Sequence, residues 1–319
     1  MIGAKRQPVP RGDTNSPVAI CDLGTFSGLI LIARKRGGRI EAIREEAHTV
    51  DLFRESGSNR NVGSAALRRA GGVLARLDAL AAELGCMRGT VICTEAIRSA
   101  GNRDRAVAAL AGHVRFPIRV VSQRQEALLS ASGSLIGLPG SRRPSAVIDV
   151  GGGSTEILFP KVGQGWSFRG VRYGAARATR EWFADGKPAE GLAQEQAART
   201  FRALRLPDSL PGHRMVGVGG TITTLAAMEL RLRSYSAGRI HGVRLSVGRI
   251  EQFAHFLLGK SEQQIARMIP FDPARARVLT AGTFLWAGVL NRVGAREVMV
   301  SAHGLRWGAA ARLLETNPS

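Results

Sequence analysis

The sequence predicts an α/β protein made of two related domains, and three observations carry that prediction. Residues 149–156 read Asp-Val-Gly-Gly-Gly-Ser-Thr-Glu between the apolar runs Ala146-Val147-Ile148 and Ile157-Leu158-Phe159, the pattern of a strand, a tight turn and a second strand. The same pattern stands earlier in the chain, where Asp22, Gly24 and Ser27 fall on Asp149, Gly151 and Ser154 at a constant offset of 127 residues. Around these units short β-compatible runs alternate with helix-period segments, and 319 residues are enough for two cores. A glycine turn of this kind can present main-chain N–H groups to a phosphate, and a carboxylate at each end of residues 149–156 suits a metal beside it. One such turn is equally an ordinary hairpin. Two at a fixed offset favour related domains facing each other across a shared phosphate chain over chance similarity between apolar hairpins.

In chain order, residues 1–16 carry Lys5, Arg6 and Arg11 among prolines, which predicts a loose basic tail without the apolar stretch of a signal peptide. The first domain is expected over 17–140. Its hairpin is followed by a polar segment around Arg54 to Asn61. A helix then spans about 65–84, where Leu67, Ala70, Leu74, Leu77, Ala81 and Leu84 recur at three- and four-residue spacing before Gly85. Thr90 to Thr94 is a short strand leading to Arg98, a place where α/β sheets put ligand contacts and where a surface cation is equally common. Ile118 to Val121 is a further strand. Ser122 is a candidate N-cap for a helix over about 125–136, and Glu126 lies in its first turn, where the helix dipole alone favours an acid.

Gly137 to Pro144 is the clearest linker, so the second domain is expected over 141–319, with its last helix packing back on the first. Val171 to Arg177 holds a turn at Gly174, and Gln194 to Leu204 reads as a helix. Gly219-Gly220-Thr221 is a third glycine turn opening a helix, suited to a phosphate or nucleoside contact or, equally, to close helix–strand packing. Ser261-Glu262-Gln263-Gln264 has capping-box spacing. A long apolar helix follows through Leu279, Gly282, Leu285 and Val289, then a strand at 298–301 and a final helix opened by Gly304-Leu305-Arg306.

Composition narrows the class. A 44% hydrophobic and 22% charged chain is globular, and its apolar runs are too short to span a membrane. Cys21, Cys86 and Cys93 are odd in number and lack metal-ligand spacing, which points to buried thiols in a reducing cytoplasm. The net charge of +20 attracts polyanions or reflects a generally basic surface. Aromatics at 5% and the lack of zinc-finger or RNP-type signatures argue against a specific nucleic-acid partner.

The order of Asp22-Leu-Gly-Thr25, Thr94-Glu-Ala-Ile-Arg98, Ser122 to Ala127, residues 149–156, Gly219-Gly220-Thr221, His241-Gly242 and Gly304-Leu305-Arg306 resembles the exopolyphosphatase and guanosine pentaphosphate phosphohydrolase (Ppx/GppA) family over roughly 17–313. The resemblance implies the fold shared by actin, sugar kinases and heat-shock ATPases: two ribonuclease-H-like α/β domains with an active-site cleft between them, here in the short two-domain form. It implies a magnesium-dependent phosphohydrolase, cytoplasmic and homodimeric, that releases terminal phosphate from inorganic polyphosphate, from guanosine pentaphosphate or from both, with guanosine tetraphosphate as a related ligand. Glu126 would be the base for the attacking water and Arg98 the arginine on the terminal phosphate. Asp149 and Glu156 match magnesium-associated carboxylates, with Asp22 facing the same ion. N–H groups of Gly24, Thr25 and Ser27, and of Gly151, Gly152, Gly153 and Ser154, would cradle the phosphates. Such catalysis rests on positioning and charge stabilisation, with no covalent enzyme intermediate.

Several residues depart from the family pattern, Phe26, Glu95, Ser99 and Arg277 above all. The first turn reads Gly24-Thr25-Phe26-Ser27 in place of Gly-Ser-Asn-Ser, Glu95 and Ser99 replace the usual serine and aspartate beside Arg98, and Arg277 stands where an aspartate is common. Glu95 could pair with Arg98 and compete with substrate, and Phe26 could line the cleft. These departures keep open a low-turnover sensor of a nucleotide or polyanion on the same fold. A kinase is a third reading, distinguished by a phosphoryl acceptor.

Overall fold

The computed structural model describes residues 16–52, 61–140, 144–161, 163, 165–184, 186, 188–207 and 210–315. The basic tail up to residue 15, most of the polar segment after the first hairpin and residues 141–143 of the expected linker lie outside the described residues.

The first sheet contains β1 (Val18–Leu23), β2 (Ser27–Arg36), β3 (Arg39–Thr49), β4 (Arg88–Cys93) and β5 (Ile118–Val120), in the order β3-β2-β1-β4-β5. Strands β1, β2 and β3 are antiparallel neighbours, whereas β1, β4 and β5 run parallel. Between them lie α1 (Ser64–Glu83), α2 (Glu95–Arg98) and α3 (Arg103–Ala111), and α4 (Gln123–Ser134) follows. The second sheet contains β6 (Ser145–Val150), β7 (Thr155–Lys161), β8 (Gly165–Val171), β9 (Arg214–Val218), β10 (Arg244–Ser246) and β11 (Glu297–Val300), ordered β10-β11-β9-β6-β7-β8. Its helices are α5 (Ala175–Trp182), α6 (Glu190–Arg202), α7 (Gly220–Glu229), α8 (Ala237–Ile240), α9 (Val247–Leu258), α10 (Glu262–Met268) and α11 (Ala276–Arg292), and α12 (Leu305–Glu315) closes the chain.

Read from β8, the second sheet repeats the first strand for strand, with β10 added as an antiparallel edge. The repeat extends to single hydrogen bonds. Gly24 N–H donates to Ser27 O, and Gly151 N–H to Ser154 O, each at 2.9 Å. Asp22 stands opposite Leu29, and Asp149 opposite Glu156, so only the second unit carries a cross-strand pair of acids. Two mixed sheets in matching strand order are the α/β architecture that the repeat in the sequence predicts.

Each central strand is an apolar run buried on both faces, as a strand covered by helices requires. Strand β3 is different. It is an edge strand rich in Arg and Glu, assembled by pairing with β2 across the Gly37-Gly38 turn, whose φ values of 53° and 77° fit a two-residue hairpin. Helix α1 follows the predicted stripe and buries Ala70, Leu74, Leu77 and Ala81 in the first core. Helix α4 starts two residues before the sequence expectation, because the Ser122 cap directly precedes Gln123 and forms a full capping box with Gln125. The box at Ser261 also forms as expected.

The last helix of each half covers the other sheet. Ala127 and Ala131 of α4 pack on Val147, Leu158 and Val216, while Leu305, Trp307, Ala310 and Leu314 of α12 pack on Val18, Ile20 and Leu31. The two helices meet through glycines. A Cβ on Gly133 would lie 2.5 Å from Gly308 N, and one on Gly308 would overlap Leu129 O and lie 2.6 Å from Ser132 Oγ.

All three thiols are free and buried, and burial pushes Cys86 up to about 11 and Cys93 to about 12, which leaves both unreactive near neutrality. Among the described residues no helix is long and apolar enough to cross a membrane. Packing in the second core is tight at Gly217, where a Cβ would lie 2.8 Å from both Trp286 Cη2 and Val298 Cγ2. Gly217→Ala is therefore expected to cost about 1–3 kcal/mol, read as a lower urea midpoint at unchanged slope.

Candidate active site

The turns after β1 and β6 open onto one cleft of about 590 Å³ between the two sheets. Asp22, Glu126 and Asp149 line it, together with both glycine turns and Gly219-Gly220-Thr221. Arg98 and Glu156 are held behind this wall by neighbouring side chains.

Helix α4 organises the acids. Gln123, Glu126 and Ser130 fall at i, i+3 and i+7, one face of a helix. Gln123 Nε2 donates to Glu156 Oε1 at 2.8 Å, Arg98 Nη1 donates to Glu126 Oε2 at 2.7 Å, and Ser130 Oγ donates to Asp149 Oδ2 at 2.5 Å. Arg98, at the end of α2, also donates from Nη2 to Glu95 Oε2 at 2.5 Å and from Nη1 to Val121 O, while its buried Nε has no partner. The departure at Glu95 thus does pair with the arginine. Ser99 makes a local bond to Glu95 O.

The acids crowd one another. Burial pushes Asp22 up to about 7, with Asp149 adding to the rise and Arg306 opposing it. Burial also raises Glu126 to about 8, opposed by Arg98 and reinforced by Asp22 and Asp149. Asp149 and Glu156 are raised by burial as well, Glu156 further by Glu126 and Asp149. Burial works against the Arg98 charge, but Glu126 and Glu95 outweigh it and keep the guanidinium protonated. Four carboxyl groups therefore share a largely desolvated site. Among the described residues no three His, Cys, Asp or Glu side chains converge closely enough to hold a metal by themselves.

The two glycine turns touch. A Cβ on Gly152 would lie 3.1 Å from Thr25 Cβ, and one on Gly153 would lie 2.6 Å from Thr25 Oγ1 and 3.0 Å from Glu95 Cγ. Outside supports tie their carbonyls. Val50 and Asp51 N–H donate to Phe26 O and Leu52 N–H to Thr25 O, while Ala175 and Ala176 N–H donate to Gly151 O and Gly152 O. Phe26 lines the cleft and is buried against Ala175 and Val278. The third turn lines the cleft and packs closely against the end of β6. Gly219 lies in the cleft wall at φ 104°, where a Cβ would come 2.8 Å from Val150 O, and Gly220 leaves room for the Arg275 guanidinium.

Sequence reasoning missed several wall residues. Arg275 spans the halves, donating from Nη2 to Ser27 Oγ at 3.3 Å and from Nε to Asp272 Oδ2 at 2.6 Å. Arg306 ion-pairs with Glu45 of β3, and Tyr235 and Phe271 form an aromatic edge with ring centroids 6.2 Å apart. Gln123 and Ser130 carried a signal, the helical spacing to Glu126; Arg275, Tyr235 and Phe271 carried none.

A model of the Ppx/GppA phosphatase family matches residues 31–317. Among curated proteins, Exopolyphosphatase 2 of Mycobacterium tuberculosis is 27% identical over 315 residues, covering 93% of this chain and 98% of that one. The bifunctional 3-dehydroquinate synthase/phosphatase of Fusobacterium nucleatum is 24% identical over 91% of this chain and 46% of its own length. Among solved structures, the Ppx/GppA family member of Aquifex aeolicus is 26% identical, with a TM-score of 0.77 covering 95% of this chain and 99% of that one. An exopolyphosphatase from Cytophaga hutchinsonii, 20% identical over 94% of this chain and 98% of its own, superposes with a TM-score of 0.83 and bears on the fold alone.

Proposed function

The chain belongs to the Ppx/GppA phosphatase family, and on that footing we propose that it is a magnesium-dependent phosphohydrolase releasing terminal phosphate from inorganic polyphosphate, with guanosine pentaphosphate as a second substrate. The observation that carries this reading is Glu126 on the cleft wall, with one carboxylate oxygen held by Arg98 and with Asp22, Asp149 and Glu156 around it. Its remaining oxygen takes the proton of an attacking water, and burial gives it the raised basicity that a general base near neutrality needs. Arg98 turns from Glu95 to the terminal phosphate and offsets charge on its equatorial oxygens. Amides of the two glycine turns align the phosphates, so that much of the acceleration comes from position.

The donor set suits a divalent cation. Asp149 and Glu156 face each other across β6 and β7, Asp22 stands across the cleft, and burial raises all three, with neighbouring carboxylates adding to the rise of Asp22 and Glu156. Since among the described residues no three side chains form a cage, magnesium would take one or two of these carboxylates and complete its shell with water and substrate oxygens. When bound it would neutralise phosphate charge. A cytoplasmic homodimer accompanies this proposal; the free thiols support the compartment.

The Glu95–Arg98 contact favours a second reading, a sensor that binds a polyanion and turns over slowly. Phosphate release from long-chain polyphosphate and from guanosine pentaphosphate, with and without magnesium, separates the two. The hydrolase should need the metal, and Arg98→Ala should lower kcat/KM by about a hundredfold. Binding without release in the native chain, with release gained in Glu95→Ser, would establish the sensor instead.

A further inference from the structure

We infer that the ion pair between Arg277 and Asp51 positions the first phosphate-binding turn from the opposite half of the molecule. The inference rests on the phosphohydrolase reading only for its kinetic readout.

Arg277 is the second residue of α11, in the second half, and its Nη1 donates to Asp51 Oδ2 at 2.6 Å. Asp51 is 6% exposed and has a φ of 42°, a left-handed conformation that aspartate tolerates better than most residues. Its neighbours are the back support of the turn. Val50 and Asp51 N–H donate to Phe26 O at 2.9 and 3.0 Å, and Leu52 N–H donates to Thr25 O at 2.8 Å. Arg69 steadies the same segment from α1, donating to Val50 O and Asp51 O. A pull on the Asp51 carboxylate is therefore transmitted through three main-chain bonds to Thr25 and Phe26.

The neighbouring contact acts on the same turn. Phe26 packs on Val278, the residue after Arg277, and on Ala175. Two of the departures from the family pattern, Phe26 and Arg277, thus belong to one junction between α11 and the first turn. An aspartate at 277, where the side chain is 34% exposed, would set a second carboxylate against the buried Asp51 and replace the attraction by repulsion. Reversing both signs should restore the attraction.

The test measures kcat and KM for polyphosphate in the full chain carrying Arg277→Gln, Asp51→Asn, both together, Asp51→Arg alone, and Asp51→Arg with Arg277→Asp. Amide hydrogen exchange at Val50, Asp51 and Leu52 is followed in the same proteins without substrate. Each neutral single variant should raise KM about fivefold and speed exchange at the three amides by a similar factor, with kcat within about twofold, and the double should be no worse than either single. The reversed pair should recover most of the loss of Asp51→Arg. Unchanged KM and exchange in the single variants, additive losses in the double, or a reversed pair no better than Asp51→Arg alone would overturn the inference. If the native chain releases no phosphate, the hydrolase reading fails and the exchange rates alone decide whether the pair holds the turn.

Discussion

Glu126→Gln is expected to lower phosphate release by about a thousandfold while leaving the fold intact, the loss typical when a positioned general base is removed. Glutamine keeps the shape and can still accept from Arg98 Nη1 through its amide oxygen, so the 2.7 Å contact that seats the side chain survives. What is lost is the second carboxylate oxygen as a proton acceptor. The kinetic signature should be a fall in kcat with KM little changed, because Glu126 meets the water and not the phosphate chain. Single-turnover phosphate release in the presence of magnesium checks this. A variant retaining a tenth or more of native kcat would remove Glu126 from the base role and direct attention to Asp22 or Asp149 on the same wall.

Gly308→Val should have the largest effect on stability. A Cβ there would overlap the carbonyl oxygen of Leu129 and lie 2.6 Å from Ser132 Oγ, and Gly133 leaves no slack, since its own Cβ would meet Gly308 N. The Leu129 carbonyl is main chain and cannot move aside as a flexible side chain would, so the helices must separate along their contact. A loss of about 3–5 kcal/mol is expected, seen as a much lower urea midpoint and, since α4 carries Glu126, as lost activity in the fraction that remains folded. A native midpoint would show that α4 and α12 do not approach at this point.

Sequence reading reached what is local or repeated. The two turns repeat with matching hydrogen bonds, the α1 stripe follows an apolar period, and the caps at Ser122 and Ser261 form from residues three positions apart. It did not reach β3, because an edge strand reading Arg-Ile-Glu-Ala-Ile-Arg-Glu-Glu gains its shape from pairing with β2 and not from its own apolar content; the Gly37-Gly38 turn was the available clue. The resemblance brought Asp22, Glu126, Asp149, Glu156 and Arg98 into view as a set, and the fold gathers them around one cleft; the Glu95–Arg98 pair, three residues apart, was legible in residue order, but nothing there says that Arg98 also lies behind Glu126. Arg275 was invisible because its contacts are to Ser27, 248 positions away, and to the space left by Gly220. Such contacts are properties of the closed pair of halves.

The exchanged helices also govern the order in which the chain can be finished as it leaves the ribosome. Strands β1 to β5 are complete by residue 120, but the face made by Val18, Ile20 and Leu31 waits for Leu305, Trp307 and Leu314, which follow the whole second sheet in the chain. Until then that face stays bare, and α4 likewise holds Ala127 and Ala131 without a sheet to cover until β6, β7 and β9 exist. Neither half can therefore be completed as a separate unit during synthesis, and a nascent chain stalled before residue 305 would be open to chaperone capture or proteolysis in its N-terminal part.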